Sequence, residues 1–302
     1  MNVENADSIN SSFIKKYIYK KEIDWSALTE GMTIPVQYQL IFGSNEGVMI
    51  QRGGKKTVHV YFGGNIYDAV IININFNKKY DKIHPTDLLQ IRYKKGLKEA
   101  VKIAFANSYN YFLKKRELEK QSGSRKHIRL PEGKREYLVL YSTGREDLFY
   151  LETILAEDIA EIDSLVRNKS ETTIEAELNF DLEDSAATII KSTRSIKIRR
   201  LNRKIADNLK ELYSYRCQIC GCLIGKQYDS HIIEAHHIDY FVNSLNNDAS
   251  NQLIVCPNHH RIIHDKNPIW NGQKLEYTYP NGYTEGLVLN YHLAQTRNKQ
   301  QV

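Results

Sequence analysis

All four cysteines of the chain, Cys217, Cys220, Cys222 and Cys256, lie between 217 and 256, and six of its ten histidines lie between 231 and 264. Thiols and imidazoles concentrated in this way favour metal binding over a disulfide framework. Cys217-x2-Cys220 and Cys256-x2-His259 are two half-sites, each able to fold a knuckle around one ion. Three thiolates and one imidazole make a tetrahedral structural zinc site. Cys222 stands just outside the first knuckle, as a bystander or an alternate ligand.

A second set comprises His236, His237, Asn251, His260 and His264. The segments HIIEAHHI and NQLIVC read as short strands joined by a polar loop, and Pro257 suits the first turn of a helix. On that helix His260 and His264 share a face, while His259 lies about 100° round from His260 and can turn toward the knuckle. Neighbours on a strand point to opposite sides, so one of His236 and His237 can bind an ion while the other serves as a base. Such an arrangement meets the needs of metal-assisted phosphodiester cleavage. The ion neutralises charge on the phosphate and leaving oxygen, and a neutral imidazole activates water.

With those residues in view, Glu234-Ala-His-His-Ile, Asn251 and Cys256-Pro-Asn-His-His-Arg-Ile-Ile-His resemble the HNH endonuclease family, the ββα-metal fold. The similarity covers roughly 217–264, with a shell from about 200 to 302, and its order and spacing are also similar to the nuclease domain of the DNase colicins. It implies His237 as general base and Asn251 as the residue orienting its imidazole. It further implies His236, His260 and His264 as ligands of a catalytic divalent ion (Mg²⁺, Mn²⁺ or another), with Glu234 beside a histidine N–H. Many family members carry a cysteine where this chain has His259, so its structural Zn²⁺ should have three thiolates and one imidazole.

These residues need elements to hold them. At 302 residues the chain has room for about two domains. Its 41% hydrophobic and 26% charged residues match a folded protein rather than a disordered one. No stretch approaches the roughly 18 apolar residues of a membrane span, and the polar start lacks the apolar core of a signal peptide, so the expected location is cytoplasmic. VMIQ (48–51), TVHVYF (57–62), YDAVIININF (67–76) and EYLVLYS (136–142) predict strands, with Gly53-Gly54 and Gly63-Gly64 at hairpin turns. Leu97, Val101, Phe105, Tyr109 and Phe112 predict one amphipathic helix ending near Lys120. A helical pattern from Leu151 through Leu155, Ile159, Ile162 and Val166 follows, and residues 195–213 again read as helix. Pro280-Asn281-Gly282 between strand-like runs predicts a hairpin. Residues 1–30 read as a polar lead-in. The expectation is an α+β chain with three parts. Residues 1–150 form an antiparallel sheet plus helix, 151–195 an acidic helical connector, and 196–302 a zinc-stabilised ββα-metal domain.

Charge is distributed unevenly. Residues 92–135 hold 14 Lys/Arg against 4 Asp/Glu, 152–184 hold 2 against 11, and 191–216 hold 9 against 2. Two basic blocks flanking an acidic one suggest surfaces facing a polyanion. Lys114, Lys115 and Arg116, with Arg199, Arg200 and Arg203, are the expected DNA contacts, and Tyr93, Tyr109 and Tyr111 interleave with the first block. The expected function is metal-dependent hydrolysis of double-stranded DNA. By analogy with restriction and defence enzymes, including modification-dependent ones, residues 1–150 would supply specificity. Cutting both strands would call for a homodimer. A homing or mobile-element nuclease and a non-catalytic, zinc-stabilised DNA-binding regulator are the alternatives. Charge reversal at Lys114, Lys115 and Arg116 should weaken DNA binding and flatten its salt dependence, as measured by titration over a salt series; an unchanged slope removes these residues from the interface.

Overall fold

The structure, a computed structural model, describes residues 16–34, 50–75, 88–122, 128–167, 169–174 and 193–293; the side chains at 122, 193–196 and 199 lie outside that description. The chain forms two units, Met1–Ala160 and Glu161–Val302. Helices and sheets are both present, giving an α+β protein. Among the described residues no helix is long and apolar enough to cross a membrane.

Seven strands build the first unit: β1 (Tyr17–Glu22), β2 (Gly31–Ile34), β3 (Lys55–Phe62), β4 (Asn65–Asn73), β5 (Leu89–Tyr93), β6 (Tyr137–Ser142) and β7 (Leu148–Ile154). Their order across the sheet is β1-β6-β7-β3-β4-β5-β2. Alternation decides which face is buried. Val58, Val60 and Phe62 of β3, Ala69 and Ile71 of β4, and Leu89, Ile91 and Tyr93 of β5 all go inward. Gly63 and Gly64 both take positive φ, which a two-residue turn between β3 and β4 requires. Helices α1 (Trp25–Thr29), α2 (Lys95–Ala104) and α3 (Ala106–Ser122) accompany this sheet, and Leu28, Leu97, Val101, Phe105 and Phe112 complete its core.

Several expectations need correction. The sheet is not wholly antiparallel as expected, because β3 and β7 pair in parallel. The lead-in holds β1, which pairs with β6, and α1, while β2 follows directly after it and pairs with β5. Of VMIQ, Val48 and Met49 lie outside the described residues, while Ile50 and Gln51 are not in a strand. The single helix expected over 97–120 is two, broken at Phe105, whose φ of −113° and ψ of 40° leave the helical region. Four-residue steps drift by about 40° each around a straight helix, so the break keeps Phe105 and Phe112 on the core side. Residues 151–154 belong to β7, and helix α4 begins only at Ala156 and runs to Val166. The boundary between the units falls within α4, so what reads as a separate connector, 151–195, is shared between them. Residues 175–192 lie outside the described part.

The second unit starts from α5 (Thr193–Leu212), whose buried Ile198, Leu201, Ile205 and Leu209 form one apolar stripe. The stripe packs on a two-stranded antiparallel sheet, β8 (Glu234–His237) and β9 (Gln252–Val255), joined through the short helix α6 (Phe241–Ser244). Helix α7 (Pro257–Lys266) follows β9 directly, with Cys256 as its N-cap and Pro257 at its first position. Strands β10 (Ile269–Asn271), β11 (Glu276–Thr278) and β12 (Thr284–Gly286) close the unit, with Gly282 at φ 83° in the turn before β12. In the first unit Gly31, at φ 149°, pairs with Arg92, and a Cβ there would meet the Ile91 carbonyl oxygen at 1.9 Å. Gly31→Ala should therefore destabilise the first unit by roughly 3 kcal/mol or more in denaturant titration, and a neutral result would refute this close approach.

Candidate metal centres and active site

The first knuckle forms at a tight turn in which Gly221 N–H donates to Cys217 O at 2.8 Å and Gly221 takes φ 70°. The second sits where β9 becomes α7. Together they bring the ligand atoms of Cys217, Cys220, Cys256 and His259 within 4.8 Å of one another, a group that could hold a metal ion. His259 Nδ1 faces the thiols, 3.1 Å from Cys256 Sγ and 3.6 Å from Cys217 Sγ. Burial pushes the Cys217 thiol up to about 12, with Cys256 adding to the shift, so a nearby cation is what would hold it as thiolate. Cys222 lies outside the group, exposed, with its Sγ toward the Cys220 carbonyl.

The other edge of His259 reaches a residue that sequence reasoning passed over. Its Nε2 lies 3.3 Å from Glu285 Oε1, and the Tyr279 hydroxyl donates to Glu285 Oε2 at 3.1 Å. Burial and then the Glu285 charge hold the Tyr279 phenol above its ordinary range, which keeps it a donor. A carboxylate on the far nitrogen of a metal-facing imidazole fixes the ring and raises its basicity. The Pro-Asn-Gly hairpin therefore does more than cover the core, since it carries this carboxylate to the cluster.

A second group, His236, His260 and His264, also brings its ligand atoms within 4.8 Å. The rings stand edge to face, with centroids 4.7–5.3 Å apart. His260 and His264 come from one face of α7, and His236 reaches them from β8. Glu234, two residues before His236 and on the same side of the strand, places Oε2 at 2.9 Å from His260 Nδ1. That leaves Nε2 as the nitrogen of His260 suited to an ion. Tyr240 stacks on His264 at 5.4 Å, and a cavity of about 180 Å³ opens beside His236, lined among others by Asp239, Tyr240 and Tyr277.

His237 points the other way, as strand alternation requires. Its ring packs against Phe241 at 5.6 Å, and its Nδ1 lies 3.2 Å from Glu171 Oε1. The Asn251 side chain is engaged by the loop that follows His237. Its amide donates to the carbonyls of Asp239 (2.8 Å) and Asn246 (2.9 Å), and its Oδ1 accepts from Asp239 N–H at 2.8 Å. The physical reason is register: His237 faces Gln252 across the ladder, so Asn251 stands beyond the strand end and braces the loop. Glu171 lies in the acidic run, where composition singles out no one carboxylate. A local signal did exist, because Ser170 Oγ accepts from Thr173 N–H at 3.2 Å, a cap that starts a helical turn at 171–174.

Of the expected DNA contacts, Lys114, Lys115, Arg116 and Arg203 are exposed, Arg200 is half-buried, and the side chain of Arg199 lies outside the described residues. Arg116 sits over the Trp25 ring at 4.4 Å, and Trp25 stacks on Tyr109 at 5.8 Å. Tyr93 is no stacking platform. As the last inward residue of β5 it is buried, and burial drives its phenol far above the ordinary range. No protein-family model, curated protein or solved structure matches the chain.

Replacing Cys217 or Cys256 by Ser should unfold the second unit, because metal binding at such a site is folding free energy. Glu285→Gln should leave the fold intact at saturating zinc while weakening zinc retention by about 10–100-fold. Elemental analysis of the wild-type chain should find one zinc resistant to mild chelation; its absence, or unchanged retention in Glu285→Gln, would refute the respective roles.

Proposed function

We propose that the second unit is an HNH-type, metal-dependent DNA endonuclease that hydrolyses phosphodiester bonds, and that the first unit supplies specificity in a restriction or defence setting. The observation that carries this reading is the split pair on β8. His236 joins His260 and His264 in a group able to hold an ion, while its neighbour His237 stands on the opposite side with a carboxylate at Nδ1.

Three imidazoles with no carboxylate suit a first-row transition ion better than Mg²⁺. A divalent ion held by His236, His260 and His264 would neutralise charge on the phosphate and the leaving oxygen. His237 takes the proton from the attacking water as the new P–O bond forms and the bond from phosphorus to the leaving oxygen breaks, that oxygen taking its proton from solvent. Both β8 histidines are nearly closed off in the resting chain, His236 at 1% and His237 at 4% exposure. Substrate approach therefore requires local opening, and α6 and the 169–174 segment, which carry Phe241 and Glu171, lie against the His237 side. The same burial favours a second reading, a zinc-stabilised DNA-binding regulator without catalysis.

Incubating the protein with plasmid and Mn²⁺ or Mg²⁺ separates the two. Cleavage should occur with the wild type, and His237→Ala should lose about 10²–10⁴ in rate while retaining fold and DNA binding. Wild-type turnover in His237→Ala would remove it as the base, and no cleavage of any DNA would favour the regulator.

A further inference from the structure

We propose that Glu171 is the positioning residue for His237, holding the hydrogen on Nδ1 and so directing the lone pair to Nε2. What that imidazole is then used for rests on the nuclease reading above; the positioning itself does not.

The geometry is specific. Glu171 Oε1 lies 3.2 Å from His237 Nδ1, and both side chains are 4% exposed. The same Oε1 accepts the Phe241 N–H at 2.7 Å, and Oε2 accepts the Val242 N–H at 2.9 Å. Two backbone amides thus prevent the carboxylate from swinging away from the ring. Phe241, whose amide Glu171 holds, also packs against the His237 ring. One carboxylate consequently fixes two sides of the imidazole, its Nδ1 edge directly and the packing surface through the backbone of α6. A neutral imidazole has one N–H and one lone pair, and a carboxylate held beside one nitrogen favours the proton on that nitrogen. Burial strengthens that preference, because the pair is little screened by water. The outcome is a base with its acceptor nitrogen preset.

The competing account is that Glu171 merely caps the turn at α6, with His237 nearby by packing. Tautomer measurement separates the accounts without any need for cleavage. In full-length, zinc-loaded protein labelled with ¹⁵N-histidine, long-range ¹H–¹⁵N correlations should show neutral His237 as the Nδ1–H form, its signals assigned by their loss in His237→Ala. Glu171→Gln and Glu171→Ala should shift the ring toward a tautomer mixture, with Glu171→Asp partly restoring it. With Mn²⁺ and cleavable DNA, Glu171→Gln should lower kcat by about 10²-fold with KM unchanged. The double variant Glu171→Gln/His237→Ala should be no slower than His237→Ala alone. An Nε2–H tautomer in the wild type overturns the proposal whatever the variants do. So does an unaltered tautomer in a folded Glu171→Ala protein, or an additive loss in the double variant. If the wild type cuts no DNA, the nuclease reading fails, and the tautomer measurement still decides the role of Glu171.

Discussion

Thiols from Cys217, Cys220 and Cys256 brought within 4.8 Å of each other, with Cys217 and Cys256 buried, make a poor arrangement unless a cation offsets it. Desolvation opposes the thiolate form, and each thiolate opposes the next. An ion held there would offset both effects and would make the cluster a cross-link between the 217–221 turn and the first residues of α7. That cross-link matters because β8 and β9 are only four residues each, and β8, unlike β9 with its buried Leu253, Ile254 and Val255, brings almost no apolar side chain to the core. Cys256 ends β9 and caps α7, so fixing it fixes the direction in which α7 leaves the sheet. The approach of His260 and His264 to His236 then follows from the helix and strand periods.

A common device recurs at three imidazoles of this unit. Glu285 lies at the far nitrogen of His259, Glu234 at Nδ1 of His260 and Glu171 at Nδ1 of His237. Each carboxylate favours the proton on the nitrogen it faces. Each comes from a different place: the C-terminal hairpin, the start of β8 and the 169–174 segment. The hairpin and the acidic segment are thereby tied to these imidazoles, although neither contributes to the two groups that could hold an ion. His292 is held differently. Its Nδ1 lies 2.7 Å from the Tyr213 hydroxyl, its Nε2 reaches the Ala249 and Gln252 carbonyls, and burial lowers its pKa. It ties the end of α5 to the start of β9 without a charged partner.

Legibility in the sequence followed the range of the interactions. The two metal groups were readable because zinc knuckles and helix faces are local: two intervening residues, one helical turn, one strand. Opposite placement of His236 and His237 was readable for the same reason. Glu171 and Glu285 were not, since their partners lie 66 and 26 residues away, and the Ser170 cap marks a helical turn without marking which carboxylate folds inward. In the first unit, β3 and β4 announce themselves by alternation around Gly63-Gly64. By contrast β1 and β2 are short, and their stability comes from pairing with β6 and β5. Leu151–Ile154 mimics a helical spacing with the residues after it, and only its tertiary pairing with Tyr137–Leu140 of β6 settles it as strand.

Charge counts alone would have assigned the acidic run to a passive connector, and its described residues show why that inference is incomplete. Asp163 pairs with Arg167 on the surface of α4, where an ion pair contributes little. Glu171, four residues beyond Arg167, spends its charge on two amides and an imidazole in a site closed to water. The same contrast holds in the basic block: Arg92 pairs with Glu30, Lys94 with Asp68 and Lys102 with Glu99, while Lys114, Lys115 and Arg116 extend from the exposed side of α3. Net charge over a window therefore overstates what a surface offers to a polyanion and understates what one buried group does. A residue whose charge is solvated can be exchanged at small cost, whereas removing the carboxylate of Glu171 would strand the buried Phe241 N–H and the half-buried Val242 N–H and release the ring beside them. On this argument the boundary of the candidate catalytic unit is set by where the chain first supplies a group the site cannot replace, and that lies upstream of α5, at Glu171.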